Sequence, residues 1–281
     1  MHRPKVCAVS YLNTVPLVWG MLHGDQQNLF DLFFRVPAEC ADLVISGAAD
    51  IGIIPIYELL GRNLGTVPGV GIACHGEVRS ILLVSKCPAE QIRTLAGDSS
   101  SRTSVALAQI ILTRRYGTIP AVVRRPPELT SMLEDADAAL IIGDPALRID
   151  PQSLNLRVYD LGHEWLEMTG LPMVFAVWAG RRECLTPSVE AAFRKSCSYG
   201  LANLDRIAAL EAPARQFPME LVERYLRKHI VFEFGEAERR GMELYLQYAA
   251  ALGGANEGRT GGTGSMGEGE QFDTSSRALI K

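Results

Sequence analysis

Several things that usually announce a function are missing from this sequence. The six cysteines, Cys7, Cys40, Cys74, Cys87, Cys184 and Cys197, are scattered and form no Cys-x-x-Cys spacing. The five histidines lie far apart, and only Cys74-His75 brings two candidate metal ligands together, as an isolated neighbouring pair. A sequence-local zinc or redox motif is excluded, and reduced structural thiols are the expectation. No sequence-local metal site is therefore expected, and the sequence offers no site for an organic cofactor either. No apolar run is long enough to span a bilayer. The N-terminal run Val6-Cys7-Ala8-Val9 breaks at Ser10, is too short for the core of a secretory signal, and is followed by no cleavage site. We expect a cytoplasmic protein with no membrane partner. An excess of basic residues is missing too: the formal net charge is −4 and the pI about 5.8. The protein as a whole exerts no pull on nucleic acid, and none is expected as a partner. An anionic ligand would have to be held by local donors.

What is present is an ordinary globular composition. Hydrophobic residues make up 47% of the 281 positions and charged residues 21%. That is enough for one large or two modest domains, each with a full core. Short apolar runs alternate with short helical patterns. Lys5 to Val9, Phe33 to Val36 and Ile51 to Pro55 read as strands, with helices at Pro16 to Leu22 and Pro37 to Val44 between them. This β-α-β-α-β order predicts an α/β protein with a mainly parallel sheet. Further strands are read at Val67 to Ala73, Ser80 to Ser85, Ala121 to Val123, Ala138 to Ile142 and Met173 to Trp178, and helices fill the chain from Pro187 onward.

The densest cluster of potential ligand donors is Asp98-Ser-Ser-Ser-Arg-Thr-Ser104, which immediately precedes the helical pattern Val105 to Leu112. Hydroxyl residues ahead of such a pattern are helix-capping chemistry. The first turn of a helix also has unpartnered N–H groups and the positive end of the helix dipole, which suits a carboxylate. Ser100, Ser101, Thr103 and Ser104 can donate, and Arg102 adds a planar cationic fork. An over-provided helix cap explains the hydroxyls alone. The density of the run, with an arginine inside it, favours an anion cradle. Whether Arg102 faces the ligand is not decided by the sequence.

Other polar residues fall where ligands of open α/β sheets bind, just past the carboxyl ends of strands. Ser10, Tyr11 and Asn13 follow the first strand, Asp144 follows Ala138 to Ile142, and Thr169 ends a segment near Trp165. The ordinary alternatives are a capped turn for the first group and a turn residue before Pro145 for Asp144. His75 is a candidate base in a loop, although a lone loop histidine is more often merely solvated. Together these features predict two α/β lobes with a ligand cleft between them. The first lobe is expected at 1–85 and 177–252, the second at 86–176. Glycines dominate 253–281, which we expect to be disordered.

One ordered set of motifs resembles a known family. It comprises Ser10-Tyr11-Leu12-Asn13 with Pro16-Leu17; Gly71-Ile72-Ala73 with Gly76-x-Val78-x-Ser80; and Asp98 with Ser101-Arg102-Thr103-Ser104. It continues with Asp137 to Asp144, Asp160-Leu161-Gly162-x-x-Trp165, Thr169-Gly170-Leu171-Pro172 and Phe175-Ala176-x-Trp178. Over about Lys5 to Leu252 the chain resembles the chorismate dehydratases of the futalosine-type menaquinone pathway. The resemblance implies a two-lobed, periplasmic-binding-protein-like type II fold and an enzyme that eliminates water from chorismate to give 3-enolpyruvylbenzoate. Its substrate is a dianion. On that reading Ser101, Thr103, Ser104 and their N–H groups take the ring carboxylate, and Asn13 and Ser80 the second carboxylate or the ether. Ser10, Tyr11, Ser100, Arg102 and Thr169 complete the expected binding set. Asp144, His75 and the substrate's own enolpyruvyl carboxylate are candidates for the base, with a carboxylate ahead of His75. The expected partner is the small-molecule substrate, with a homodimer open. The alternatives are a binding protein or sensor for a small carboxylate, and the related dihydroxynaphthoate-forming enzyme of the same pathway.

Overall fold

The computed structural model of the chain describes residues 3–260. It begins with β1 (Lys5–Val9), α1 (Val15–His23), β2 (Asp31–Arg35), α2 (Pro37–Ile45), β3 (Ile51–Pro55) and the long β4 (Gly65–Cys74). β1 and β3 are continuous apolar runs because they are buried on both faces, as parallel strands under two helical layers are. Proline stands in the first turn of both α1 and α2, where its missing N–H costs nothing. The chain then crosses into a second unit: β5 (Ile81–Ser85), β6 (Thr94–Asp98), α3 (Arg102–Arg114), β7 (Ala121–Arg125), α4 (Leu129–Asp135), β8 (Ala138–Ile142), α5 (Gly143–Leu147), β9 (Arg157–Asp160) and α6 (Leu161–Thr169). It returns through β10 (Met173–Gly180), followed by α7 (Pro187–Leu201), α8 (Leu204–Arg215), α9 (Met219–Arg224), β11 (Val231–Glu233) and α10 (Glu236–Thr260).

The strands form two sheets, ordered β11-β4-β10-β3-β1-β2 and β7-β6-β8-β5-β9. Both are mixed rather than mainly parallel. β1 pairs in parallel with β2 and β3, and β6 with β7 and β8. β10 and β5 each enter from the other unit and run antiparallel to both neighbours. The expected lobe borders shift accordingly. β5, read with the first lobe, pairs with β8 and β9 of the second sheet, and β10 already joins the first sheet at Met173. A buried apolar strand reads the same whichever sheet it joins, so its pattern does not reveal this. β6 was not read as a strand at all: Thr-Leu-Ala-Gly-Asp carries a helix former and a glycine where strands prefer branched residues.

One carboxylate ties the first crossing segment to the start of α6. Asp160 accepts from the N–H groups of Val78 (3.0 Å), Arg79 (2.6 Å), Gly162 (3.0 Å) and His163 (3.2 Å). Burial pushes its carboxyl above its ordinary value, while these four donors pull the other way. The first-lobe core includes Trp178 edge-on to Phe193 at 4.7 Å between ring centroids. α10 spans both lobes. Tyr245 stands edge-on to Trp165 at 6.2 Å, and its hydroxyl donates to the carbonyl of Thr103 at 3.0 Å. The helix continues to Thr260, into the stretch expected to lack structure, and the rest of that expected tail lies outside the described residues.

Candidate active site

A cleft opens where the strand ends of the two sheets face each other. The space in it open to a water-sized sphere is about 60 Å³, a narrow slot well below the roughly 300–1,000 Å³ usual for small-molecule sites. Its apolar walls include Ile53, Ile72, Ile142 and Phe175, and its polar lining is Tyr11, Asn13, Ser80, Ser101, Thr103 and Ser104. All six were singled out from the sequence, and the structure brings them together. No Asp, Glu, His, Lys or Arg lines the cleft. It is a site of neutral donors around an apolar slot.

The first lobe presents Tyr11 and Asn13 in the turn after β1, which continues as one 3-10 turn, Leu12–Thr14. The Asn13 side-chain oxygen is buried without a partner among the described residues. A polar atom left so costs about 1–3 kcal/mol unless a ligand meets it. Ser80, at the start of β5, accepts from the Tyr225 hydroxyl at 2.8 Å. Tyr225 is fully buried, and burial holds its phenol well above the ordinary value. It begins a single π-helical turn, Tyr225–His229, of the kind often found at functional sites. Sequence reasoning missed Tyr225, whose only local signal is an apolar neighbourhood.

The second lobe presents the start of α3. Ser101 is the N-cap, its hydroxyl oxygen accepting from the Ser104 N–H at 3.2 Å. The capping reading of this stretch therefore holds for Ser101, which also lines the cleft. Thr103 accepts from the Tyr57 N–H at 3.1 Å, a bond between lobes. The helix is 13 residues long, so its positive end adds to these donors.

The remaining expected residues are not in the lining. Arg102 is turned away, donating to Glu58 at 2.9 Å and to Asp42 at 2.7 Å, both on the first lobe. Asp144 has both oxygens engaged, one by the Leu12 N–H at 2.9 Å and the other by Arg215, which also donates to the Ser10 carbonyl. Its work is to hold the Ser10–Asn13 turn. Thr169 caps the end of α6, donating to the Trp165 carbonyl at 2.8 Å and accepting from the Leu171 N–H. Ser10 is exposed at the end of β1. Ser100 sits one layer back, its hydroxyl 2.7 Å from Asp98. His75 is exposed and pairs with Glu238. Among the described residues no three His, Cys, Asp or Glu side chains converge as metal ligands would, and no helix is long and apolar enough to cross a membrane.

Two sheets joined by two crossings, with a cleft at the strand ends, define the periplasmic-binding-protein-like class. Solved structures agree. A protein from Archaeoglobus fulgidus superposes with a TM-score of 0.71 over 90% of this chain and 98% of its own, at 18% identity. The alkanesulfonate-binding protein of Xanthomonas axonopodis pv. citri, bound to MOPS, gives 0.64 over 92% and 95%, at 16% identity. These show the fold. Residues 4–251 match the model of a family described as menaquinone biosynthesis, and the chain belongs to that family. The chorismate dehydratase of Thermus thermophilus is 32% identical, the match covering 89% of this chain and 96% of that protein.

Proposed function

We propose that this protein is a hydro-lyase that removes water from chorismate to give 3-enolpyruvylbenzoate. The observation that carries the reading is the match to the Thermus thermophilus chorismate dehydratase across nearly the whole of both chains. The cleft supplies a fitting chemistry. Chorismate carries a ring carboxylate and an enolpyruvyl carboxylate. The proton to be lost sits on the carbon bearing the ether, and the hydroxyl to be lost on its neighbour. Through the ring diene that proton is acidified by the ring carboxylate. Its removal pushes charge onto that carboxylate, and loss of the hydroxyl then gives an aromatic ring. Donors fixed around the carboxylate stabilise this transition state more than the ground state. Ser101, Thr103, Ser104 and the first N–H groups of α3 take that role. Asn13 and Ser80, the latter held by Tyr225, take the second carboxylate or the ether.

The base is the substrate's own enolpyruvyl carboxylate. Two observations support this. No titratable carboxylate or imidazole lines the cleft, and both protein candidates are occupied elsewhere, Asp144 by Leu12 and Arg215 and His75 by Glu238. Purified protein, treated with chelator and given chorismate alone, is expected to form the aromatic product, read by ultraviolet absorbance and proton NMR. Tight binding without turnover would instead support a carboxylate-binding protein.

A further inference from the structure

Beneath the cleft lies a buried carboxylate that the reading above does not use. Asp98, at the end of β6, is fully buried. One of its oxygens accepts from the N–H and the hydroxyl of Ser100, at 2.8 and 2.7 Å. The other is buried without a partner among the described residues. Ser100 in turn stands 3.4 Å from the hydroxyl of Tyr11, which lines the cleft from the opposite lobe. Tyr11 is seated by Gly143. That residue has φ +63°, and a Cβ added to it would come within 2.5 Å of the Tyr11 ring. The line Asp98–Ser100–Tyr11 thus runs from the interior of one lobe, across the interface, to the substrate.

We propose that this line is a proton relay that supplies the oxygen leaving the substrate ring, with Tyr11 as the general acid and Ser100 and Asp98 as the residues that recharge it. The proposal rests on the dehydratase reading and adds to it the step that reading lacks. Hydroxide is a poor leaving group, and the cleft lining contains no other group able to give up a proton except serine and threonine hydroxyls. The base takes the ring proton, and the electron pair of that C–H bond enters the ring. The C–O bond then breaks with its pair going to oxygen. Tyr11 gives that oxygen its phenolic proton, and water departs. The phenolate takes a proton from Ser100, and Ser100 takes one from the Asp98 carboxyl. After product release, water entering the cleft returns one proton along the same line, and the base releases the one it took.

The relay runs when Asp98 carries a proton, which turns its bond to the Ser100 hydroxyl so that the carboxyl donates. Burial pushes Asp98 above its ordinary value. Arg124 on β7 opposes this, with one of its guanidinium nitrogens donating to the main-chain carbonyls of Asp98 (3.3 Å) and Ser101 (2.9 Å). The Ser100 N–H and the backbone at Ile142 also oppose it. Burial pushes the Tyr11 phenol up, the Ser100 hydroxyl opposes this, and the charges of Asp98 and Asp144 add to the rise, so a neutral Asp98 removes one of the effects that weaken Tyr11 as an acid. The Tyr11–Ser100 contact, at 3.4 Å, is long for a hydroxyl–hydroxyl bond, as catalytic hydrogen bonds often are without substrate.

The test is steady-state kinetics of Tyr11→Phe, Ser100→Ala, Ser100→Thr and Asp98→Asn with chorismate. Tyr11→Phe is expected to lower kcat by about 10²–10⁴-fold with KM changed only a few-fold. Ser100→Ala should follow it and Ser100→Thr should recover most of the loss. Wild-type kcat should fall as pH rises through the Asp98 titration, and Asp98→Asn should have low kcat without that limb. A Tyr11→Phe enzyme with wild-type kcat, or an Asp98→Asn enzyme keeping the alkaline limb, overturns the relay. If Asp98→Asn does not fold, the Tyr11 and Ser100 variants decide alone. A wild-type protein that binds chorismate without turnover sinks the dehydratase reading, and the relay with it.

Discussion

Arg102 and Glu58 meet at 2.9 Å across the mouth of the cleft, the arginine from the first turn of α3 and the glutamate from the turn after β3. Only 2% of the glutamate side chain is exposed. Arg62 approaches its other oxygen at 3.3 Å. The pair bridges the two lobes, and neither residue lines the cleft.

Removing this arginine should therefore cost stability. Arg102→Met leaves Glu58 with Arg62 alone and is expected to lower stability by about 1–3 kcal/mol, the cost of an unsatisfied buried polar group. Adding Glu58→Gln should return part of the loss, because the two side chains act as one unit. Thermal melts of the two single variants and the double variant measure this. Strict additivity would show that the contact carries no coupling energy.

A second outcome distinguishes holding a loop from abstracting a proton. Asp144→Asn keeps an acceptor for the Leu12 N–H but loses the charge that faces Arg215. We expect turnover to fall by less than about tenfold. A general base would cost about 10²–10⁴-fold. Pre-steady-state and steady-state rates on the same variant read the difference.

The start of α3 separates cap from cradle residue by residue. Ser101→Ala removes the N-cap bond to Ser104 and should cost about 0.5–2 kcal/mol. Ser104→Ala leaves that bond intact, because Ser104 contributes only its N–H. If its hydroxyl holds the carboxylate where charge develops, turnover should drop by about 10²–10³-fold while the melting temperature moves little. Full activity in Ser104→Ala would reduce this residue to an ordinary first-turn serine.

Asp98 also predicts a pH dependence of stability. Burial raises its folded-state value above the roughly 3.9 of an unfolded aspartate. Below that value both states are protonated and burial carries no charge penalty. As pH rises, the unfolded chain releases its proton first, so the folded state loses ground until its own carboxyl titrates. Wild-type melting temperature should accordingly decline through this window relative to Asp98→Asn. The two curves should converge at the acid end. Parallel curves would mean that Asp98 is not perturbed.

Much of this site was legible because its signals are local. Ser101, Thr103 and Ser104 are written into a helix start, and Tyr11 and Asn13 into a turn at a strand end, whereas Ser80, at the head of a strand, is marked only by the family motif. The direction of Arg102 was not legible, because it is set by Glu58 on the other lobe, 44 positions away. The same holds for Ser80, whose partner Tyr225 lies 145 positions on. Asp144 reads from sequence as a cleft residue, since it follows a strand, and only the arrival of Arg215 from α8 shows it employed elsewhere. In the fold, the early β-α alternation was readable. The allotment of β5 and β10 to sheets was not, because their burial pattern is the same on either side of the boundary.

The strand orders β2-β1-β3-β10-β4 and β7-β6-β8-β5-β9 match position for position and pairing for pairing. Each lobe is thus a copy of one plan, and the loops that meet at the cleft are counterparts. The turn after β1 carries Tyr11 and Asn13, and the turn after β6 carries Ser100 to Ser104. The Leu12 N–H reaches Asp144 after β8, and the Tyr57 N–H after β3 reaches Thr103. Two versions of one turn therefore face each other across the cleft, one carrying an amide and a phenol, the other a row of hydroxyls. A ligand with two unlike acidic ends suits such a pair, because each end can be met by a different version of the same turn.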